Sequence, residues 1–141
     1  MGDKGSMAVF IDTGIFVALR NADDEFHVRS KELIREALKG GFGRIFTSDY
    51  VIDEAITIAL VRTRRHDLAV DVGNYIIESP RIVKLWTTKE TFDLAWERFK
   101  TFKDHPISFS DCVSLAHIEK NGIKQIISFD SGFDGLIQRL Y

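Results

Sequence analysis

The sequence predicts an α/β domain, a central parallel β-sheet with helices on both faces, and three observations predict it. Short apolar runs at Ala8 to Asp12, Arg44 to Thr47, Ile82 to Trp86 and Gln125 to Ser128 are bordered by turn residues, as buried strands are. Between them lie stretches of helical periodicity, clearest over residues 27–38, 49–61 and 89–102. Strands separated by helices imply crossover connections and hence parallel pairing. The length, 141 residues, suits one domain able to bury about two-thirds of its unfolded surface. There is no internal repeat, low-complexity tract or linker, so residues 7–141 read as a single unit.

The elements follow in order. Met1 to Ser6 is polar and glycine-containing, and reads as a flexible tail or an expression remnant ahead of a natural start at Met7. Ala8 to Asp12 is the first strand, and Ile15 to Leu19 a short helix after Thr13 and Gly14. Asn21 to Glu25 is a polar loop. His27 to Leu38 is a helix whose Val28, Leu33, Ile34, Ala37 and Leu38 share one face, stopped by Gly40, Gly41 and Gly43. After the strand at Arg44, either Ser48 or Asp49 can cap a helix carrying Val51, Ala55, Ile58 and Ala59 on one stripe. A helix from Asp67 to Glu78 ends at Ser79 and Pro80. A strand at Ile82, a helix from Lys89 to Phe102 and a loop around Asp104 to Pro106 come next. The last helix runs from Ser110 to Asn121, with Gly122 where helices often end left-handed. The strand at Gln125 leads to a turn around Asp130 to Gly132, and Leu136 to Tyr141 reads as an edge strand or a packed tail.

Bulk properties exclude several classes. Hydrophobic residues form 45% of the chain, an ordinary share, and no apolar run approaches the roughly 20 residues that cross a bilayer. No basic segment followed by a long apolar core opens the chain as a secretory signal would. One cysteine, Cys112, allows neither an internal disulfide nor a thiolate zinc site, which makes the cytoplasm the default compartment. The net charge of −2 speaks against nonspecific coating of nucleic acid but is compatible with a site built from acids.

Four carboxylates stand out by position. Active sites of open parallel sheets lie at the carboxyl ends of the strands, where Asp12 ends the first strand and Asp130 follows the last strong one. Each also has a plain role open to it, Asp12 as a helix cap and Asp130 as a turn former. Glu54 shares a helix side with Val51 and Ile58, which places a charge within an apolar stripe; Asp53 lies off that stripe. A structural salt bridge is the alternative partner for Glu54. Asp111 completes a Ser-x-x-Asp capping pattern from Ser108, yet Leu115 and Ile118 put it on the buried face as well.

Carboxylates brought together raise one another's pKa unless something positive offsets them, and a hard divalent ion, Mg²⁺ or Mn²⁺, suits an all-oxygen donor set. His27, His66, His105 and His117 lack zinc-site spacing, and His117 reads as a surface or boundary residue of its helix. Arg62, Arg64 and Arg65 sit where cations complement a helix dipole, and Lys120 and Lys124 read as surface charges. Trp86, Trp96 and the eleven phenylalanines read as core or dimer interface rather than as base-stacking platforms.

Taken together, the stretches Val9 to Thr13, Tyr50 to Glu54, Ser108 to Asp111, and Ile126 to Asp130 with Phe133 resemble the PIN-domain family, in particular the single-domain VapC-type toxins of prokaryotic toxin–antitoxin systems. The resemblance covers the chain from Met7 onward in order and spacing. It implies a PIN-like fold and an acidic, metal-binding and catalytic set of Asp12, Glu54, Asp111 and Asp130. It implies support from Thr13 and Ser128, Asp134 as an auxiliary acid, and either Ser108 or Ser110 pointing into the site. The implied activity is Mg²⁺-dependent hydrolysis of single-stranded or looped RNA, leaving a 5′-phosphate and a 3′-hydroxyl. The implied partners are an antitoxin and a second copy of the chain. An RNA-processing nuclease outside any toxin–antitoxin pair, or an inactive PIN-like binding module, is the alternative.

Two rivals fail on residues. Asp12, Thr13 and Gly14 form the triplet of aspartic proteases, but that fold is nearly all β-structure. A phosphatase of the haloacid-dehalogenase type wants a second Asp two residues after the first, where Gly14 stands.

Overall fold

The computed structural model describes residues 7–141; Met1 to Ser6, read above as tail or remnant, lie outside the described residues. Five strands are present among the described residues: β1 (Ala8–Ile11), β2 (Arg44–Ser48), β3 (Ile82–Leu85), β4 (Gln125–Ile127) and β5 (Gln138–Leu140). The helices are α1 (Thr13–Arg20), α2 (His27–Leu38), α3 (Asp49–Thr63), α4 (His66–Glu78), α5 (Lys89–Thr101) and α6 (Phe109–Lys120). All strand pairs are parallel, in the order β3-β2-β1-β4-β5. The predicted parallel α/β sheet is therefore present, and the C-terminal residues form its edge strand.

That order fixes where a site can form. From β1 the chain moves outward through β2 and β3, then returns to the other side of β1 for β4 and β5. Right-handed crossovers place α1 to α4 on one face and α5 with α6 on the other. Packing agrees, since α1 touches α2, α3 and α4, while α5 packs along α6. The reversal opens a crevice at the carboxyl ends of β1 and β4, the usual ligand position in such sheets.

The core explains why β1 is central. Val9, Phe10 and Ile11 are fully buried, as are Ile126 and Ile127 of neighbouring β4. Such two-sided burial is what a continuous apolar run in a parallel sheet requires. The α3 helix begins at Ser48, whose hydroxyl accepts the Val51 N–H at 3.3 Å, and ends at Arg64 in a left-handed conformation. Thr88 caps α5 in the same way, accepting from the Thr91 N–H.

Three expectations need correction or refinement. Val28 does not share the buried face of α2 but is 69% exposed. The buried stripe is Ser30, Leu33, Ile34 and Ala37, spaced by three and four residues, and Val28 lies off it. The first helix starts at Thr13, earlier than its apolar run, because Asp12 takes the cap position. His117 is not on the surface; it is 2% exposed. Thr87 has one hydroxyl proton and gives it to Asp49 at 2.6 Å, so His117 Nε2, 2.9 Å from the same oxygen, must carry a proton and donate. Burial holds the His117 pKa below its usual range, so the ring is the neutral Nε2–H form. This clasp joins the start of α3, the β3–α5 connection and the body of α6.

Gly43 precedes β2 with φ at 81°, and a Cβ there would overlap the Met7 carbonyl oxygen, the acceptor for the Arg44 N–H. Gly40 also has positive φ but faces open space. Gly43→Ala is expected to cost about 1–3 kcal/mol and more than Gly40→Ala, as read by urea unfolding midpoints. Equal costs for the two would show that the Met7 contact is not decisive.

Candidate active site

The crevice is a cleft of about 460 Å³ whose lining includes Asp12, Glu54, Asp111 and Asp130, together with Thr13 and Ser108. Each acid arrives from a different element. Asp12 follows the last residue of β1 and precedes α1, with extended backbone and no side-chain capping bond, so its carboxylate is left for the cleft. Glu54 projects from the second turn of α3. Asp111 lies in the first turn of α6, whose Ser108 cap accepts the Asp111 N–H at 3.1 Å. Asp130 follows β4 and caps a short 3-10 turn, its Oδ1 accepting from the Gly132 N–H at 2.8 Å. The capping roles of Asp111's segment and of Asp130 thus coexist with a place in the cleft.

Neutral hydroxyls hold these carboxylates. Ser128 donates to Asp12 Oδ2 at 2.6 Å, Thr13 to Glu54 Oε1 at 2.6 Å, and Ser110 to Glu54 Oε2 at 3.1 Å. Of the two serines considered from the sequence, Ser110 reaches Glu54 while Ser108 caps the helix. Among the described residues no ion pair involves Asp12, Glu54, Asp111 or Asp130. Glu54 is therefore not satisfied by the salt bridge considered above. Asp53 is exposed on α3 and does not line the cleft.

The electrostatics follow from burial and crowding. Asp12, 7% exposed, is pushed up to about 6, chiefly by burial, with Glu54 and Asp130 adding repulsion against the Ser128 bond. Asp111 is pushed up to about 7 by burial and by the charges of Asp12 and Asp130. Two acids that resist ionisation near neutrality mark a site in need of positive charge. The donor set is all oxygen, which fits a hard divalent cation. Among the described residues no three acids, histidines or cysteines already stand close enough to form one ion's shell. Such an ion would keep waters in its shell, as Mg²⁺ ordinarily does.

Asp134 is not brought into the cleft. Its carboxylate is engaged by Arg139 at 2.7 Å and 3.1 Å, and the pair holds β5 against the turn. Arg139 also donates to the Ser128 carbonyl at 3.1 Å, so Asp134 touches the site only through the backbone. Sequence reasoning missed Ser110 as a definite partner, and missed Phe26, Pro106, Phe129 and Arg62 as lining residues. For Arg62 the signal was available, because Glu54, Ile58 and Arg62 recur every four residues along α3. Nothing in the local pattern marks Phe26, which precedes the α2 periodicity.

A parallel sheet with acids converging at its switch point defines the class, and residues 9–136 match the PIN domain model. The chain belongs to the PIN-domain family. Its relatives are ribonucleases of the VapC group. It is 30% identical over 128 residues to a VapC ribonuclease of Archaeoglobus fulgidus, covering 90% of this chain and 80% of the relative. It is 32% identical over 126 residues to the 23S rRNA-specific endonuclease VapC20 of Mycobacterium tuberculosis, covering 89% of this chain and 91% of that protein. The crystal structure of VapC20, described as a Sarcin-Ricin loop cleaving toxin, superposes with a TM-score of 0.79 at 28% identity, over 91% of this chain and 94% of that one. The VapBC2 structure from Rickettsia felis shares the fold at 14% identity, with a TM-score of 0.65 over 95% of this chain and 98% of that one.

The raised carboxylates make stability pH-dependent in the metal-free protein. A folded-state pKa above the unfolded value means the folded chain holds its protons longer. The associated stability is complete below about pH 4 and is lost as pH rises through about 6 to 7. In EDTA the unfolding midpoint is expected to fall across that window. Asp12→Asn should flatten the decline and gain on the order of 1–3 kcal/mol at pH 7.5. A midpoint that rises over the window would contradict the repulsion argument.

Proposed function

We propose that this chain is the Mg²⁺-dependent endoribonuclease toxin of a VapBC-type pair. The observation that carries the proposal is four carboxylates from four separate elements meeting in one cleft, none of them held in an ion pair among the described residues. Asp12, Glu54, Asp111 and Asp130 would hold the divalent ion, with Mn²⁺ as a plausible substitute. The chemistry a bound ion supplies is activation of water and neutralisation of charge on phosphodiester oxygens.

The chain's own residues do the rest. Ser128 fixes Asp12, and Thr13 with Ser110 fixes both oxygens of Glu54, so the acids face the cleft in set orientations. A bound cation would offset the burial and mutual repulsion that raise Asp12 and Asp111 in the metal-free chain, so both would be held ionised as ligands. Cleavage would leave a 5′-phosphate and a 3′-hydroxyl. The substrate is single-stranded or looped RNA, whose unstacked backbone can enter a cleft that a duplex cannot. Given the VapC20 relative, a ribosomal RNA stem-loop is the first substrate to try.

An antitoxin partner follows from the VapC relationship, and a cytoplasmic location from an RNA substrate. No helix of the described residues is long and apolar enough to cross a membrane. A homodimer is supported by an exposed aromatic face on α5, where Phe92, Trp96 and Phe99 group around Phe109 of α6.

The test is cleavage by the purified chain of synthetic single-stranded RNAs and of a sarcin–ricin stem-loop, with Mg²⁺ and with EDTA. EDTA should stop cleavage. Asp12→Asn should lower it at least about a hundredfold, since even outer-shell partners of a metal are worth 10–100-fold, while circular dichroism stays unchanged. Persistence of cleavage in that variant would point to a contaminating nuclease and sink the assignment.

A further inference from the structure

We propose that Phe26, stacked on Phe129 at the carboxylate cleft, is a platform for one unpaired nucleobase of the RNA, and that Arg62 binds a backbone phosphate beside it. The inference rests on the ribonuclease reading above and adds how that site grips its strand.

Phe26 is a large apolar side chain left 43% exposed on the cleft that also holds the four acids. Its ring lies on Phe129 with centroids 4.5 Å apart and planes 21° from parallel, so one face is covered and the other is left open. Phe129 is itself supported, being half-buried and packed against the hydrophobic core. The loop bearing Phe26 is held as firmly. The Phe26 N–H donates to Asp24 Oδ1 at 2.8 Å, and the next residue, His27, donates through Nδ1 to the Ala18 carbonyl at 2.8 Å. A rigid ring with one open face, beside groups that suit phosphate chemistry, fits a splayed base, because aromatic stacking is how single-stranded RNA is gripped.

Arg62 supplies what the acids cannot. It is the one cation among the described residues lining the cleft. Its neighbour Arg65 is engaged by Asp67 at 2.6 Å, whereas no ion pair or hydrogen bond engages the Arg62 guanidinium among the described residues. Eight residues separate it from Glu54 on one ridge of α3, which puts it about 12 Å along the axis at ~1.5 Å per residue. A cation there meets an incoming polyanion that the carboxylates repel. Stacking is tolerant of base identity, so the pair sets position along the strand more than sequence.

The experiment uses the RNA that the wild-type chain cleaves, synthesised with a single abasic nucleotide at each position flanking the cut in turn. Phe26→Ala is expected to raise KM about tenfold on the intact strand with kcat nearly unchanged, and Phe26→Tyr to restore it. One abasic position should raise the wild-type KM similarly and add nothing further in Phe26→Ala. Arg62→Gln should raise KM on every strand alike and reduce the slope of log KM against log salt by about 0.7, the value of one single-strand phosphate contact. An unchanged KM in Phe26→Ala, as a purely protein-docking role would give, overturns the platform. So does an equal loss on every abasic strand. An unchanged salt slope in Arg62→Gln overturns the phosphate contact. A wild-type chain that cleaves no RNA overturns the ribonuclease reading and this inference with it.

Discussion

A carboxylate at the end of the most buried strand is the constraint around which the rest of this protein is arranged. Asp12 follows Val9, Phe10 and Ile11, all fully inaccessible, and is itself nearly so. Burial alone disfavours its charge, and Glu54 and Asp130 disfavour it further. A side chain so placed is tolerated only if its surroundings are fixed, because a slip of the strand would expose it to apolar neighbours. The sheet supplies that fixity: β1 is paired on both edges, and the strand order reverses around it, which opens the one crevice where the carboxylate can point.

The way the acids are held matters as much as where they are. A buried carboxylate is most cheaply satisfied by an arginine, and this protein has arginines to spare, yet they serve Asp71, Asp67, Glu119 and Asp134 at the periphery. Inside the cleft the donors are the hydroxyls of Ser128, Thr13 and Ser110. Hydroxyls orient an oxygen without cancelling its charge. The cleft therefore keeps a net negative field at a position where ion pairs would have made the domain more stable, which is the pattern expected of a site reserved for a cation.

Much of this architecture was legible in the sequence, for reasons that can be stated. Buried strands announce themselves because two-sided burial demands an unbroken apolar run, and the span His27 to Leu38 of α2 matched because periodicity and the following glycines both bound it. The position of Asp12 was legible for the same reason, since a charge ending such a run has few structural uses. What escaped were contacts between residues far apart in the chain. Thr87 and Asp49 converge on His117 from two other elements, so a helix that looked two-sided is buried on both. Asp134 was drawn away by Arg139, five residues on, through a side-chain pair that no local pattern marks. Phe26 and Phe129 stack across more than a hundred residues, and neither belongs to a periodic stripe.

The His117 clasp shows how the two halves of the site are kept in register. Three of the acids come from elements packed on or ending at the β1 side, while Asp111 comes from α6 on the opposite face of the sheet. Its placement therefore depends on α6 being held against α3 rather than on the sheet alone. Ser110 makes one such tie, bonding Glu54 within the cleft. The Asp49–Thr87–His117 chain makes another, and it starts at the first residue of α3, five residues before Glu54. The ring is neutral and donates from Nε2, and Asp49 does not line the cleft, so this second tie stands apart from the acids whose charge a metal or a phosphate would alter. The acidic cluster can then change its protonation and charge without loosening the helix that carries its most strongly shifted member.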